Sequence, residues 1–239
     1  TRTKRLTSAI LFARNPVPGR VKTRLQTHLT PEQAASLYGA FLRDTAALLR
    51  GCAAASKIVA SADDEGLQGL QLLLDPQQEG RLQFTVQQGV DLGRRMEHAL
   101  KATFTDGAHH AVILGTDSPS LPASTIDDAL ARLEHVDVVL GPVVDGGYYL
   151  IGVTAQGFAE AGTRLFRGID WSTGCVLEQT VAALSSTQRL ALLSPWYDVD
   201  HPPEAAFLRT HLEALERAAD GRARHSLLAL RKLQLPPPS

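Results

Sequence analysis

Four cations, Arg14, Arg20, Lys22 and Arg24, fall within eleven residues of the segment Phe12-Ala-Arg-Asn-Pro-Val-Pro-Gly-Arg-Val-Lys-Thr-Arg-Leu25, and no acid precedes Glu32. A short apolar run, Ala9-Ile10-Leu11-Phe12, comes directly before them and reads as a first β-strand. Open α/β sheets bind ligands beyond the carboxyl ends of their strands, so a cationic loop here is placed to take a small polyanion such as the phosphates of a nucleotide. Lys22 would act as a point charge and Arg24 as a planar fork. Gly19 lets the main chain approach the ligand closely. This is not a Walker loop, because Gly19-Arg-Val-Lys22-Thr23 lacks the first glycine and the Gly-Lys adjacency. A solvated basic turn is the plain alternative.

Four further polar segments interrupt the apolar pattern. In Ile113-Leu-Gly-Thr-Asp-Ser-Pro-Ser-Leu-Pro122, Asp117 stands just past an apolar strand, so its carboxylate emerges at the same edge as the basic loop. Mg²⁺ takes one or two carboxylates together with substrate phosphates, which makes Asp117 a metal candidate. It could instead brace the turn before a helix near Ala123. In Gly141-Pro-Val-Val-Asp-Gly-Gly-Tyr-Tyr149, Asp145 is a candidate to hold a sugar or acceptor hydroxyl or to act as general base. Asp-Gly is also a strong hairpin signal. In Gln87-Gln-Gly-Val-Asp-Leu-Gly-Arg-Arg-Met96, Gln88 and the main chain at Gly89 could read a base edge, whereas Asp91 reads equally as a helix N-cap. In Trp196-Tyr-Asp-Val-Asp-His-Pro-Pro-Glu204, Asp198 and Asp200 would share a face of a regular strand. The nearby prolines disfavour such a strand, so only one of them is expected to reach a metal, and either could cap the following helix. His109 and His110 read as surface residues ahead of a strand, and no Ser-His-Asp arrangement stands out.

The elements that must position these groups alternate between strand and helix, as in a parallel or mixed α/β sheet. Strands are expected at Leu6–Phe12, Lys57–Ala60, Arg81–Val86, Ala111–Gly115, Val136–Leu140, Tyr148–Val153 and Leu190–Leu193. An acidic, Gly- and Gln-rich connection is expected between the second and third. Thr30-Pro-Glu-Gln33 carries a capping box with proline at the first helical position, and that helix should run to about Leu49. Its apolar stripe is Ala34, Leu37, Phe41 and Leu48, with Thr45 as the polar exception. Further helices are expected at Asp91–Phe104, Ile126–Leu133, Val176–Leu184 and Pro203–Arg217, the last with Phe207, Leu208, Leu212 and Leu215 turned inward. The chain from Ala218 to Ser239 reads as a packed helix and a disordered end.

Composition narrows the function classes. The chain has 239 residues, 44% of them hydrophobic, which is ample for one large α/β domain spanning 1–239 with its core at about 6–217. The formal net charge of −1 argues against a nucleic-acid partner, because the basic charge is local: seven of the 24 Lys and Arg lie in the first 24 residues. Cys52 and Cys175 sit in no metal or redox spacing and read as reduced, buried thiols of a cytoplasmic protein. No apolar run approaches a membrane span, and Ala9–Ala13 is too short for the core of an export signal. The oligomeric state is not encoded in any recognisable pattern.

Taken in order, the opening segment, Leu114-Gly-Thr-Asp117-Ser-Pro119-Ser-Leu-Pro122, Gly141-Pro-Val-Val-Asp145-Gly-Gly-Tyr-Tyr-Leu-Ile-Gly152 and Trp171-Ser-Thr173 resemble the bacterial radical-SAM/selenodomain-associated transferases, over residues 6 to about 210. That group belongs to the nucleotide-diphospho-sugar transferase superfamily. The resemblance implies a GT-A-type, three-layer α/β/α sandwich with a mostly parallel, Rossmann-like sheet. Lys22-Thr-Arg-Leu25 is similar to the corresponding element of phospholactate guanylyltransferase, and Asp117-Ser-Pro119 to the Asp-x-Pro metal site of the molybdenum cofactor guanylyltransferases. Val199-Asp200-His-Pro resembles a CMP-Kdo synthetase segment whose aspartate is the second metal ligand. His201 and Pro203-Glu204 depart from that pattern at the helix cap.

The resemblance implies an Mg²⁺-dependent transferase, with Mn²⁺ as a substitute ion, acting on a nucleotide and a small-molecule acceptor. Nucleotidyl transfer from an NTP to a phosphorylated small molecule is the first expectation. Lys22, Arg24 and Asp145 would be catalytic, Arg14, Gly19, Arg20, Lys22, Arg24, Gln88, Gly89 and Asp117 would bind nucleotide, and Asp117 and Asp200 would hold the metal. Glycosyl transfer from an NDP-sugar is the alternative, weakened by Ser118-Pro119 in place of an Asp-x-Asp. A non-catalytic nucleotide sensor is the third reading, and would bind nucleotide without turnover.

Overall fold

The structure, a computed structural model, describes residues 6–236. The basic residues 1–5 and the end of the tail expected to be disordered, from 237 onward, lie outside that range. Seven strands form the sheet: β1 (Thr7–Ala13), β2 (Ser56–Ser61), β3 (Gln83–Val86), β4 (His110–Leu114), β5 (Val138–Pro142), β6 (Tyr148–Thr154) and β7 (Leu190–Leu192). Their order is β3-β2-β1-β4-β6-β5-β7. Among the described residues β6 alone runs antiparallel to its neighbours, β4 and β5. The fold is therefore mixed α/β and mostly parallel, as expected. After β1 the chain builds outward to β2 and β3, then returns to place β4 on the other side of β1. That reversal is the topological switch point at which open sheets bind ligands. The basic loop leaves β1 there and Asp117 follows β4.

Among the described residues eight α-helices cover the sheet: α1 (Pro31–Gly51), α2 (Asp64–Leu74), α3 (Leu92–Thr105), α4 (Thr125–Arg132), α5 (Ala155–Ala161), α6 (Val176–Ala182), α7 (Pro202–Arg217) and α8 (Arg224–Leu230). The alternation along β1 assigns its residues to two cores. Ala9 and Leu11 pack in the layer of α1, α4, α7 and α8. Ile10 packs in the other, with Met96 and Leu100 of α3 and with Leu165 and Phe166. Thr30 caps α1 by accepting from Gln33 N at 3.2 Å, and the Gln33 side chain accepts from Thr30 N at 2.9 Å. Thr45 is buried and donates to Phe41 O, which satisfies its hydroxyl.

Several expectations need correction. The connection between β2 and β3 contains a helix, α2, capped by Asp63 and buried through Leu70 and Leu74. The short helix α5 was not expected either, although Thr154 caps it by accepting from Gly157 N at 2.9 Å. His110 is 1% exposed, not a surface residue, because it opens β4 between the paired strands β1 and β6. Cys175 is exposed rather than buried, at the start of α6. Phe207 is 49% exposed, since α7 turns Ala205, Leu208 and Leu212 inward. Phe207 instead packs edge-on against Tyr197, with ring centroids 5.0 Å apart. No helix among the described residues is long and apolar enough to cross a membrane.

Candidate active site

Buried Val21 and Leu25 anchor the basic loop on either side of Lys22. Lys22 itself adopts a left-handed backbone conformation, φ 46° and ψ 43°, uncommon for a long side chain. The turn sends its side chain inward past the Phe41 ring, with Nζ 5.8 Å from the ring centroid. The ammonium ends 2.6 Å from Asp117 Oδ1, 2.8 Å from Asp200 Oδ1 and 2.7 Å from the Val199 carbonyl oxygen. Three N–H donors meet three oxygen acceptors, which completes the hydrogen bonding of a lysine. Burial opposes the charge on Lys22, but Asp117 and Asp200 outweigh it and hold the ammonium above the ordinary lysine range.

The main chain fixes the two carboxylates relative to each other. Val199 N donates to Asp117 O at 2.9 Å, so the segment after β7 is tied to the segment after β4. Thr116 donates to the Tyr38 hydroxyl at 3.1 Å, and that hydroxyl also accepts from Arg14 N at 3.2 Å. Buried Tyr38 thus joins the start of the basic loop to the residue before Asp117. Asp200 takes a second cation, Arg24 Nη1, at 3.3 Å. Burial raises the Asp200 carboxyl, yet Lys22 and Arg24 together bring it below the usual carboxylate value. Glu204 accepts from Asp200 N at 2.6 Å and from His201 N at 2.7 Å, which closes the start of α7.

Asp198 has a different environment. Burial first, then the neighbouring charges of Asp145 and Asp200, push its carboxyl up to about 7. Of the two aspartates in this segment, Asp200 is the one that shares a cation with Asp117. Asp145 occupies the hairpin between β5 and β6, and its Oδ1 accepts from Gly147 N at 2.9 Å, as the turn reading requires. The hairpin packs closely: Gly146 has φ +92°, and a Cβ there would lie 2.0 Å from Gly174 O. Trp171 stacks edge-on against Tyr148 and lies over Gly93 at the start of α3.

Beside this cluster a cleft of about 420 Å³ opens beyond β1 and β2, lined by Arg14, Asn15, Arg20, Val21, Asp63 and Arg95 among others. Arg14 and Arg20 therefore face the cleft and not the paired carboxylates, and Arg20 lies 3.8 Å from Glu65. Gly19 shapes the loop, with φ +78°, but does not line the cleft. Gln88 is exposed and also outside the lining. Arg95 stands at that edge instead: Nε donates to Gly89 O at 3.2 Å and Nη1 to Ala62 O at 3.3 Å. Arg95 lies in the Gln87–Met96 segment that the sequence singles out, although only Gln88 and Gly89 are named there as readers of a base edge. Sequence reasoning missed Asn15, whose side chain lies against α2 only because residues 66 and 69 are glycines.

Among the described residues no three His, Cys, Asp or Glu side chains converge as a protein-only metal cage. Two carboxylates and one carbonyl oxygen do surround a single cation, the Lys22 ammonium. Hard oxygen donors of this number suit Mg²⁺ or Mn²⁺ when phosphate oxygens complete the shell, so the residues fit such an ion.

The strand order and the switch-point cleft define the fold of the nucleotide-diphospho-sugar transferases. The chain belongs to the bacterial family DUF2064, described as uncharacterized proteins conserved in bacteria, whose profile matches residues 45–173. It is 31% identical to a Desulfovibrio desulfuricans G20 protein provisionally described as a nucleotide-diphospho-sugar transferase, with a TM-score of 0.82 over 95% of this chain and 94% of that one. CMP:2-keto-3-deoxy-manno-octonic acid synthetase complexed with CTP shares the fold at 12% identity, with a TM-score of 0.55 over 89% and 99% of the chains. Rv0371c of Mycobacterium tuberculosis H37Rv, solved with manganese, shares it at 17% identity, with a TM-score of 0.52 over 88% and 99%. No curated protein matches the chain significantly.

Proposed function

We propose that this protein is a divalent-metal-dependent nucleotidyltransferase that uses an NTP and a phosphorylated small molecule. One observation carries the reading: Lys22, Asp117 and Asp200 meet around one cation position at the switch point, beside an arginine-lined cleft. In the reaction a phosphate oxygen of the acceptor attacks the α-phosphorus, a new P–O bond forms, the α–β anhydride bond breaks and pyrophosphate leaves. Lys22 and Arg24 stabilise the charge that builds on the phosphate oxygens. Asp117 and Asp200 hold Mg²⁺ or Mn²⁺, which when bound neutralises phosphate charge. Arg14, Arg20 and Arg95 face the nucleotide across the cleft. Such chemistry is positioning and electrostatics, so no protein nucleophile is required. The CTP and manganese named for the two distant fold relatives accord with this reading, as does the resemblance to the radical-SAM/selenodomain-associated transferases.

Glycosyl transfer from an NDP-sugar is the second reading, favoured by the description of the 31%-identical relative and by Asp145 lying close to Asp198. A thermal-shift panel of NTPs, NDPs and NDP-sugars with Mg²⁺ separates the two. At a hundredfold excess over Kd, ligand binding stabilises by about 2.7 kcal/mol. An Mg²⁺-dependent, NTP-selective shift supports nucleotidyl transfer, a shift with NDP-sugars alone supports glycosyl transfer, and no shift with any nucleotide contradicts both.

A further inference from the structure

Lys22 has a completed shell of its own. Its ammonium is bound by Asp117 Oδ1, Asp200 Oδ1 and Val199 O at 2.6–2.8 Å, and its side chain is only 4% exposed. A divalent ion ligated by these oxygens would lie about 2.0–2.6 Å from them. It would claim the space and the lone pairs that the ammonium holds, against a like charge. The lysine and the metal are thus alternatives for one cradle. The Asp117 side chain is 48% exposed, so phosphate oxygens can approach the cradle from solvent at that carboxylate.

We propose that Lys22 is a displaceable internal cation: it holds the Asp117–Val199–Asp200 cradle closed in the ligand-free protein and yields to a divalent metal when phosphate arrives to receive its charge. The inference rests on the metal assignment made above and adds to it an order of events. Metal alone binds weakly, because it must expel a buried ammonium into water. Metal with a polyphosphate binds as a unit, because Lys22 exchanges carboxylate partners for phosphate ones. Arg24, 61% exposed, remains on Asp200 Oδ2 and keeps that carboxylate in place during the exchange.

The test is Mn²⁺ binding to the ligand-free protein, with the free ion read by electron paramagnetic resonance and no phosphate present. Lys22→Met is expected to bind Mn²⁺ about 10–100-fold more tightly than the unaltered protein, because a cradle held by the ammonium is open only part of the time, and adding Asp117→Asn should remove the gain. Equal Mn²⁺ affinity with and without Lys22 would overturn the proposal. If repulsion between the bared carboxylates unfolds Lys22→Met, Mn²⁺ should restore its thermal transition; failure to do so would also overturn it. A negative result here leaves the nucleotidyltransferase reading standing, whereas a nucleotide panel without any shift would remove that reading and leave a Lys22→Met metal gain intact.

Discussion

The Lys22 ammonium lies 2.8 Å from Asp200 Oδ1, although 178 residues separate the two in the chain. The contact joins the loop after the first strand to the segment after the last, and Asp117, from the middle of the chain, completes it at 2.6 Å. Three segments far apart in sequence therefore depend on one another for charge balance. Removing any one member of a partly buried ionic cluster leaves the others uncompensated.

Asp198 and Asp200, two residues apart, should affect stability with opposite dependence on pH. The folded Asp198 carboxyl is raised from 3.8 to about 7, so the folded state holds a proton that the unfolded state has lost between those values. Stability from this group is present at low pH and declines as pH rises toward 7. Asp198→Asn should then be more stable than the unaltered protein at pH 8, by about 1–2 kcal/mol after allowance for solvent screening, with the difference vanishing near pH 4. The folded Asp200 carboxyl is lowered, so its contribution is present above the ordinary carboxylate value and lost as pH falls through the folded one. Asp200→Asn should flatten the acid limb. Urea unfolding from pH 3 to pH 8 checks both signs.

The C-terminal helix depends on one acid of α1. Asp44 Oδ2 accepts from Ser226 N at 2.7 Å and Ser226 Oγ at 2.5 Å, and its Oδ1 accepts from His225 N at 3.2 Å. Ser226 is fully buried, so Asp44→Ala strands its hydroxyl and amide away from water. The expected loss is about 2–3 kcal/mol, read as a lower urea midpoint, with Asp44→Asn intermediate because it keeps one acceptor.

Gly146→Ala should damage the hairpin that carries Asp145. The added Cβ would meet Gly174 O at 2.0 Å, in a backbone conformation with φ +92° that disfavours alanine. A loss of about 1–3 kcal/mol is expected, measured by thermal unfolding. Gly147→Ala should cost less, since its Cβ would meet only Asp145 Oδ1 at 3.3 Å.

What the sequence reveals depends on how local each signal is. The capping box of Thr30 and Gln33 and the apolar run of β4 are decided within a few residues, and both elements form where expected. Gly66 and Gly69 read as linker residues, whereas they clear the surface of α2 for Asn15; that reason lies across space and leaves no local mark. The reversed direction of β6 was signalled only by Asp145-Gly146-Gly147, the turn that lets β5 and β6 pair as a hairpin. Lys22 and Asp117 were both expected at the carboxyl edge of the sheet from their places after strands, but the choice of Asp200 over Asp198 as their partner was implied by resemblance and not by spacing. The Gln87–Met96 segment was legible as a candidate, but not that Arg95 rather than Gln88 lines the cleft, because a helical arginine looks the same whether it faces solvent or a cleft.

In the proposed reaction Asp117 and Asp200 would hold the metal of a metal–nucleotide complex. Isothermal titration of the Mg²⁺ complex of whichever NTP shifts the melting temperature most, into the unaltered protein, Asp117→Asn and Asp200→Asn, tests it directly. The account predicts that each substitution weakens binding by about 10–100-fold while folding is retained, and that omitting Mg²⁺ weakens the unaltered protein to a similar degree. Unchanged affinity in Asp117→Asn, or binding that is indifferent to Mg²⁺, would contradict it.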